Sequence, residues 1–361
     1  MAAPSFTTGN PLLDGLYAIL NGISEVPLIS SPLTGLLILA GVTLASRRAG
    51  FMMFVSSIVG GSVAYVLGAP VGSITFGLFG FNSILTGMAF WSGPFVKSNK
   101  TTFVISIVGA CVCAVVFEAF SHLFGDMFAG LGPGYSIPGF TISFVFTAWA
   151  IMFATRKYGR DIWPPPALKS STTDALPFEW NLREFIRATL NGVSQVTFIQ
   201  DWRTGLFWIV GLTLCFELAP VSGSVLTNAY TAGWDPSSWL YLAGFMAFLG
   251  SAIGVALGIV AKLPTTEVRK GLHGFNNVLV MIAITSFLPL TVGTFLFAIF
   301  ATVACTLFTM PALTSVFEEL GMPTDLHMPA LTGPFVFTTI IFLMSIVAFG
   351  HIPGGIGWAK P

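Results

Sequence analysis

Charge is what this sequence has least of. Lysine, arginine, aspartate and glutamate make up 8% of its 361 residues, against about a quarter in an ordinary soluble domain, while 54% are hydrophobic. Such a chain cannot cover itself in water. Basic and acidic residues number 15 each, so the formal net charge is zero and no nucleic-acid partner is implied. Cysteine and histidine are scarce too, at four apiece. Cys111, Cys113, Cys215 and Cys305 lie inside apolar runs at spacings that fit no zinc or redox motif, so they are expected to be small buried hydrophobes. His122, His273, His327 and His351 are scattered along the chain and suggest no metal site. The phosphate-binding pattern Gly-x-x-x-x-Gly-Lys-Ser/Thr is missing, as are a dense set of intramembrane acids and any paired nucleophile and base. No cofactor and no enzymatic activity are expected. The opening Met-Ala-Ala-Pro-Ser stretch sets no basic residue ahead of an apolar core, so no cleavable signal peptide is expected.

Long apolar runs are what the sequence has in abundance. A helix crossing the hydrocarbon needs about 20 mostly apolar residues. The stretches Thr102 to Phe120, Trp239 to Ala261, Leu288 to Met310 and Phe335 to Phe349 (with the apolar residues before it) read as spans. The 39 glycines and 22 prolines suit a compact membrane bundle, where glycine allows close packing and neighbouring helices satisfy the backbone around proline.

The chain also repeats itself. Asn21-Gly22-Ile23-Ser24-Glu25-Val26 returns as Asn191-Gly192-Val193-Ser194-Gln195-Val196, and Thr34-Gly35-Leu36 returns as Thr204-Gly205-Leu206, both 170 residues on. Gly77-Leu78-Phe79-Gly80-Phe81-Asn82 matches Gly271-Leu272-His273-Gly274-Phe275-Asn276 at an offset of 194, and residues 140–144 match 331–335 at 191. The drift from 170 to 194 implies a 24-residue insertion, expected as a loop at about 219–238. The division is therefore a first repeat over 1–155, a linker over 156–180 containing Pro164-Pro165-Pro166, and a second repeat over 181–361.

The first copy holds five apolar segments, near Leu33 to Ala45, Phe51 to Leu67, Ile74 to Trp91, Thr102 to His122 and Phe140 to Phe153. An odd number of crossings turns the second copy over in the bilayer. Ahead of these, Asn10 to Val26 and Asn181 to Val196 are shorter and amphipathic. They are expected to be half-helices that enter the membrane part-way, a surface helix being the alternative. The expected fold is thus an all-α polytopic membrane protein of two inverted repeats, each five spanning helices plus one re-entrant half-helix, around a central pore.

At this point the sequence resembles the urea transporter family. That family's pattern Leu-Pro-x-x-Thr-x-Pro-Phe stands here as Met328-Pro329-Ala330-Leu331-Thr332-Gly333-Pro334-Phe335. The first copy carries a weaker form, Ile137-Pro138-Gly139-Phe140-Thr141-Ile142-Ser143-Phe144, with Ser143 in place of the second proline. The Gly-Phe-Asn and Glu-Val/Gln-Val segments match as well, so the resemblance covers nearly the whole chain. It implies ten spanning and two re-entrant helices, a pore in every subunit of a homotrimer, a multi-pass location in the cell (plasma) membrane, and urea as the solute. It also implies a slot walled by Phe81 with Leu85 and Phe275 with Leu279, each pair on one helix face. Val26 and Leu28 would join from the first half-helix and Val196 and Phe198 from the second, with Thr141 and Thr332 at the midpoint. Glu25 and Gln195 would stand beside rows of oxygen atoms. Leu28 departs from the aromatic frequent at its position.

Those residue types suit a flat, neutral solute with four N–H donors and one carbonyl acceptor. Helix ends offer unpaired carbonyls, aromatic faces exclude bulkier solutes, and threonine hydroxyls both donate and accept. The expected function is a passive channel for urea, with small amides or ammonia as further solutes. The alternative is a proton-coupled urea or amide transporter, in which Glu25, or Glu118 with His122 four residues on, would carry the proton.

Taken singly, each residue has a plainer role. Phenylalanine in a membrane helix is ordinarily packing, and Asn82 and Asn276 are expected to pin helix to helix. Thr141 and Thr332 have the option of bonding back to their own helices. His273 aligns with Phe79, which assigns it no function. Asn99-Lys100-Thr101 is a lone glycosylation sequon. For orientation, two readings conflict. With five crossings per copy, Arg47, Arg48, Lys97, Lys100, the linker charges, Lys262, Arg269 and Lys270 share one face, which the positive-inside rule makes cytoplasmic and which leaves both termini outside. The resemblance implies cytoplasmic termini.

Overall fold

The structure is a computed structural model that describes residues 7–129, 137–155, 162, 180–215, 242–288, 291–319, 329–349, 351–352 and 356–357. The expected insertion at about 219–238 lies outside these residues, as does the linker at 156–180 apart from Ile162 and Trp180. The first copy forms α1 (Pro11–Ser24), α2 (Pro32–Ala45), α3 (Arg47–Val66), α4 (Val71–Phe76), α5 (Gly80–Trp91), α6 (Lys100–Ala129) and α7 (Ile142–Thr155). The second forms α8 (Leu182–Gln195), α9 (Trp202–Leu214), α10 (Ala243–Val260), α11 (Thr265–Arg269) and α12 (Phe275–Phe287). It continues through α13 (Val292–Ala304), a π-helical turn over Cys305–Thr309, α14 (Met310–Glu319) and α15 (Gly333–Phe349). A two-residue antiparallel ladder, His351–Ile352 against Ile356–Gly357, is the only sheet among the described residues.

Local chemistry starts these helices where the two copies predict. Asn10 accepts from the N–H groups of Leu12 and Leu13 at the head of α1, with Pro11 first in the helix; Asn181 accepts from Glu184 at the head of α8. Ser31 and Asp201, 170 residues apart, cap α2 and α9 in the same way.

Four segments are long and apolar enough to cross a bilayer alone: Arg47–Val66, Lys100–Gly125, Ala243–Val260 and Val292–Phe317. They are repeat mates in two pairs. The remaining expected crossings are shorter or interrupted. The segment from Ile74 to Trp91 is split at Gly77, whose φ of 104° ends α4. The helices α2 and α7 have 14 residues each, about 21 Å at 1.5 Å per residue against a hydrocarbon core of about 30 Å. On α6, Val104, Val108, Val112 and Val115 form an exposed stripe, and on α13 Leu296 and Phe300 are exposed. Apolar surface on that scale is unstable in water and stable in lipid. The molecule is a helical membrane protein.

The two copies meet along α2 and α9. Thr34 Oγ1 donates to the carbonyl of Gly211 and Thr204 Oγ1 to that of Gly41, each at 2.8 Å. Thr34 is near the start of α2 and Gly211 near the end of α9, so the helices run antiparallel. Each bond is the other's repeat counterpart. Within a copy, Gly35 of α2 presses on the carbonyl of Leu20, and Gly205 of α9 presses on that of Leu190; a Cβ at either position would overlap the oxygen.

Candidate functional site

The ends of α1 and α8 share an uncommon turn. Leu28 N–H donates to Glu25 O at 2.9 Å and Ile29 N–H to Ser24 O at 3.2 Å; in the second copy Phe198 donates to Gln195 O at 2.9 Å and Ile199 to Ser194 O at 3.3 Å. This is the Schellman closure, whose left-handed residue is usually glycine. Here it is Leu28 (φ 64°) and Phe198 (φ 60°). An L side chain in that region costs about 1–2 kcal/mol, so the two side chains are held at a position where glycine would sit at no cost. Such strain points to use rather than to packing convenience. Val26 and Val196 beside them are buried, and so is Glu25, at 6% exposure.

A second pair of turns carries the signature threonines. Phe140 (φ 49°) and Leu331 (φ 53°) are again left-handed non-glycine residues, one position before Thr141 and Thr332. Each turn is gripped by an asparagine. Asn82 Nδ2 donates to Phe140 O at 3.1 Å while its Oδ1 accepts from Phe144 N–H at 3.3 Å. Asn276 does the same with Leu331 O and Phe335 N–H, both at 3.2 Å. The expectation that these asparagines pin helix to helix is met, and what they pin is the two threonine turns. The hydroxyls of Thr141 and Thr332 then meet at 2.6 Å, fully buried, across 191 residues of sequence. They do not bond back to their own helices.

The helices α5 and α12, whose asparagines hold the two threonine turns, also carry Phe81 and Leu85 and Phe275 and Leu279 respectively. Leu85 and Leu279 are fully buried, Phe81 nearly so and Phe275 half-buried. Phe81 stands edge-on to Phe117, with ring centroids 5.6 Å apart. Phe198 of the second copy meets Phe95 and Phe144 of the first at 5.6 and 6.0 Å. Phe140 crosses the other way to Phe287 and Phe335, at 5.4 and 5.3 Å. The sequence reading did not foresee these cross-copy ring contacts; 35 phenylalanines dilute any signal that would single out Phe95, Phe144 or Phe287.

Other candidates make local contacts of their own. Glu118 and His122 form an i, i+4 pair at 3.3 Å on α6, with side chains 47% and 77% exposed. Gln195 Nε2 donates to the Lys270 carbonyl at 3.1 Å. His273 Nε2 lies 3.5 Å from Glu267 Oε2, and its proximity holds the Glu267 carboxyl below its ordinary value. Among the described residues no cluster of three metal-ligating side chains occurs. A groove of about 380 Å³ between α3 and α6, lined by Ser62, Val66, Cys111 and Val115, includes none of the slot residues.

Comparison with known proteins gives a consistent result. The sequence pattern of the urea transporter family matches residues 16–227 and 237–346, most of the chain. The chain is 28% identical to "Urea transporter 1" of Rattus norvegicus over 336 residues, covering 90% of this chain and 76% of that protein. To "Urea transporter 1" of Capra hircus it is 26% identical, and to that of Mus musculus 28%, with the same coverage. With that family pattern matching most of its length, the chain belongs to the urea transporter family.

Proposed function

We propose that this protein carries urea across the plasma membrane passively, through a narrow pore framed by its two copies acting as inverted repeats. The observation that carries the reading is the Thr141 and Thr332 contact. An in-plane two-fold axis carries each residue onto its mate, and mates that touch lie on the axis. The reciprocal Thr34/Gly211 and Thr204/Gly41 bonds support the same axis and its antiparallel sense. Repeat mates at one buried mid-membrane locus are what inverted-repeat transporters use for solute sites.

The chemistry of that locus fits urea. Two hydroxyls bonded to each other retain one donor and three lone pairs, which complement a solute offering one acceptor and four donors. Val26, Leu28, Phe81 and Leu85, with Val196, Phe198, Phe275 and Leu279, supply an apolar slot that a planar solute can enter and a hydrated ion cannot. Glu25 and Gln195 flank it. The pore lies within one chain, and the assembly is a homotrimer of such pores. Small amides and ammonia are candidate secondary solutes.

The test is light scattering in a stopped-flow instrument on proteoliposomes holding the purified chain under an inward urea gradient. Shrinkage followed by recovery faster than in empty liposomes is expected, with no accumulation beyond equilibrium when a pH gradient is imposed. Recovery at the rate of empty liposomes would overturn the proposal.

A further inference from the structure

The two copies differ at one position, buried in the first and partly exposed in the second, in a way the pairing makes chemically specific. Glu25 and Gln195 are mates, both at the Schellman end of a membrane-entering helix. Gln195 donates its amide hydrogen to the carbonyl of Lys270, in the turn that ends α11. The mate of Lys270 is Phe76, the last residue of α4. The Phe76 carbonyl accepts one hydrogen bond, from Ser30 Oγ at 2.7 Å, and has a second lone pair.

A carboxylate cannot reproduce what Gln195 does, because it has no hydrogen to give. Three observations disfavour the charged form. Glu25 is 6% exposed. It caps the C-terminus of α1, where the helix dipole is negative. No cation among the described residues pairs with it. The elements packed on α1 are α2, α3, α4 and α5. Of these, α3 carries Arg47, Arg48 and Tyr65, all exposed, and the others carry no titratable group; α1 itself adds Asp14, engaged by Thr8, and Tyr17. Burying a lone carboxylate without a partner is disfavoured relative to the neutral acid.

We infer that Glu25 is a neutral carboxylic acid that donates its proton to the Phe76 carbonyl as Gln195 donates to Lys270, keeping its own carbonyl oxygen as a fixed acceptor for solute N–H groups at one end of the slot. This rests on the reading of the site as a solute path for the role of the acceptor, but not for the protonation state. No proton moves with the solute in this arrangement. The acid is a structural copy of glutamine, and its charge is absent throughout transport.

The test is infrared spectroscopy of the full chain in lipid bilayers at neutral pH, comparing wild type with Glu25→Gln. A carbonyl-stretch band of a protonated carboxylic acid is expected in the wild type and lost in the variant. Absence of that band from the wild type overturns the inference, whatever the protein transports. The pH profile of urea flux gives a second readout. A decline in alkali that appears in the wild type and is abolished in Glu25→Gln supports the assignment, as do two flat profiles with the band retained throughout. A decline that persists in Glu25→Gln overturns it. Absence of flux from the wild type overturns the urea reading and leaves the infrared result to decide the protonation state.

Discussion

Replacing Asn276 by alanine removes two hydrogen bonds at once, to Leu331 O and from Phe335 N–H, each 3.2 Å long and fully buried. In membrane proteins such side-chain bonds average about 0.6 kcal/mol each and reach about 1.7. Two of them give roughly 1–3 kcal/mol. Leu331 is left-handed, and the clamp is part of what offsets that strain; once it is gone, the turn relaxes and Thr332 leaves Thr141. The mate substitution Asn82→Ala is expected to cost a similar amount for the same reason. Because both clamps maintain one shared threonine contact, their costs are not independent. The double variant should lose less than the sum of the two singles, by about 0.5–1 kcal/mol, the low end of what coupled sites show. The assay is unfolding in mixed micelles of rising SDS content, followed by tryptophan fluorescence, with urea flux measured on the same preparations. Strict additivity, or a single variant of unchanged stability and flux, would refute the idea that the asparagines hold the threonines together.

Other outcomes follow from single residues. Lys262 is exposed with φ 55°, and its mate Gly68 has φ 83°, so Lys262→Gly should stabilise the fold by about 0.5–1 kcal/mol in the same unfolding assay. Leu28→Gly and Phe198→Gly should relieve backbone strain in the same way, yet weaken discrimination between urea and larger amides in flux measurements; unchanged selectivity would remove both from the slot. Gly35→Ala and Gly205→Ala should each lower folded yield, since the added methyl meets the Leu20 or Leu190 carbonyl. The Glu267 carboxyl is held below its ordinary value of 4.5 by His273, so its contribution to stability is present above that pH and lost as pH falls through the lowered value. Glu267→Gln should flatten that acid limb in an unfolding series against pH.

Much of this was legible because the chain says most things twice. The offsets of 170, 194 and 191 paired the segments that hold Glu25 with Gln195, Asn82 with Asn276 and Thr141 with Thr332, while the roles of the threonines came from the family resemblance alone. What periodicity could not convey was where a helix stops within an apolar run. Gly77 breaks one expected crossing, and the turn at Phe140 starts α7 just past Thr141; neither is marked by charge, because the surroundings are not water. Hydropathy reports the solvent and is silent on backbone direction. The left-handed residues were equally invisible, since Leu28, Phe198, Phe140 and Leu331 are poor choices for φ > 0 on local grounds. A local rule fails there because the side chain is retained at the expense of the backbone.

The shortage of full-length spans then has a physical cause within the proposed two-fold. If Thr141 and Thr332 sit on an in-plane axis, then α7 and α15, which begin one residue beyond them, start at mid-bilayer and leave by opposite faces. A helix that begins at the midplane needs only about 15 Å of apolar length. The 14 residues of α7 supply about 21 Å, and so reach the interface without being long enough to cross. The same symmetry gathers the N–H groups at the starts of both half-helices, and the turns that precede them, around one buried point. Irregular backbone survives at that depth only where its polar groups are bonded or face a cavity. The asparagines bond part of it, and the proposed slot would take the remainder. Under the proposed two-fold, short helices, left-handed turns and the threonine contact become one arrangement, with the proposed pore beside its axis.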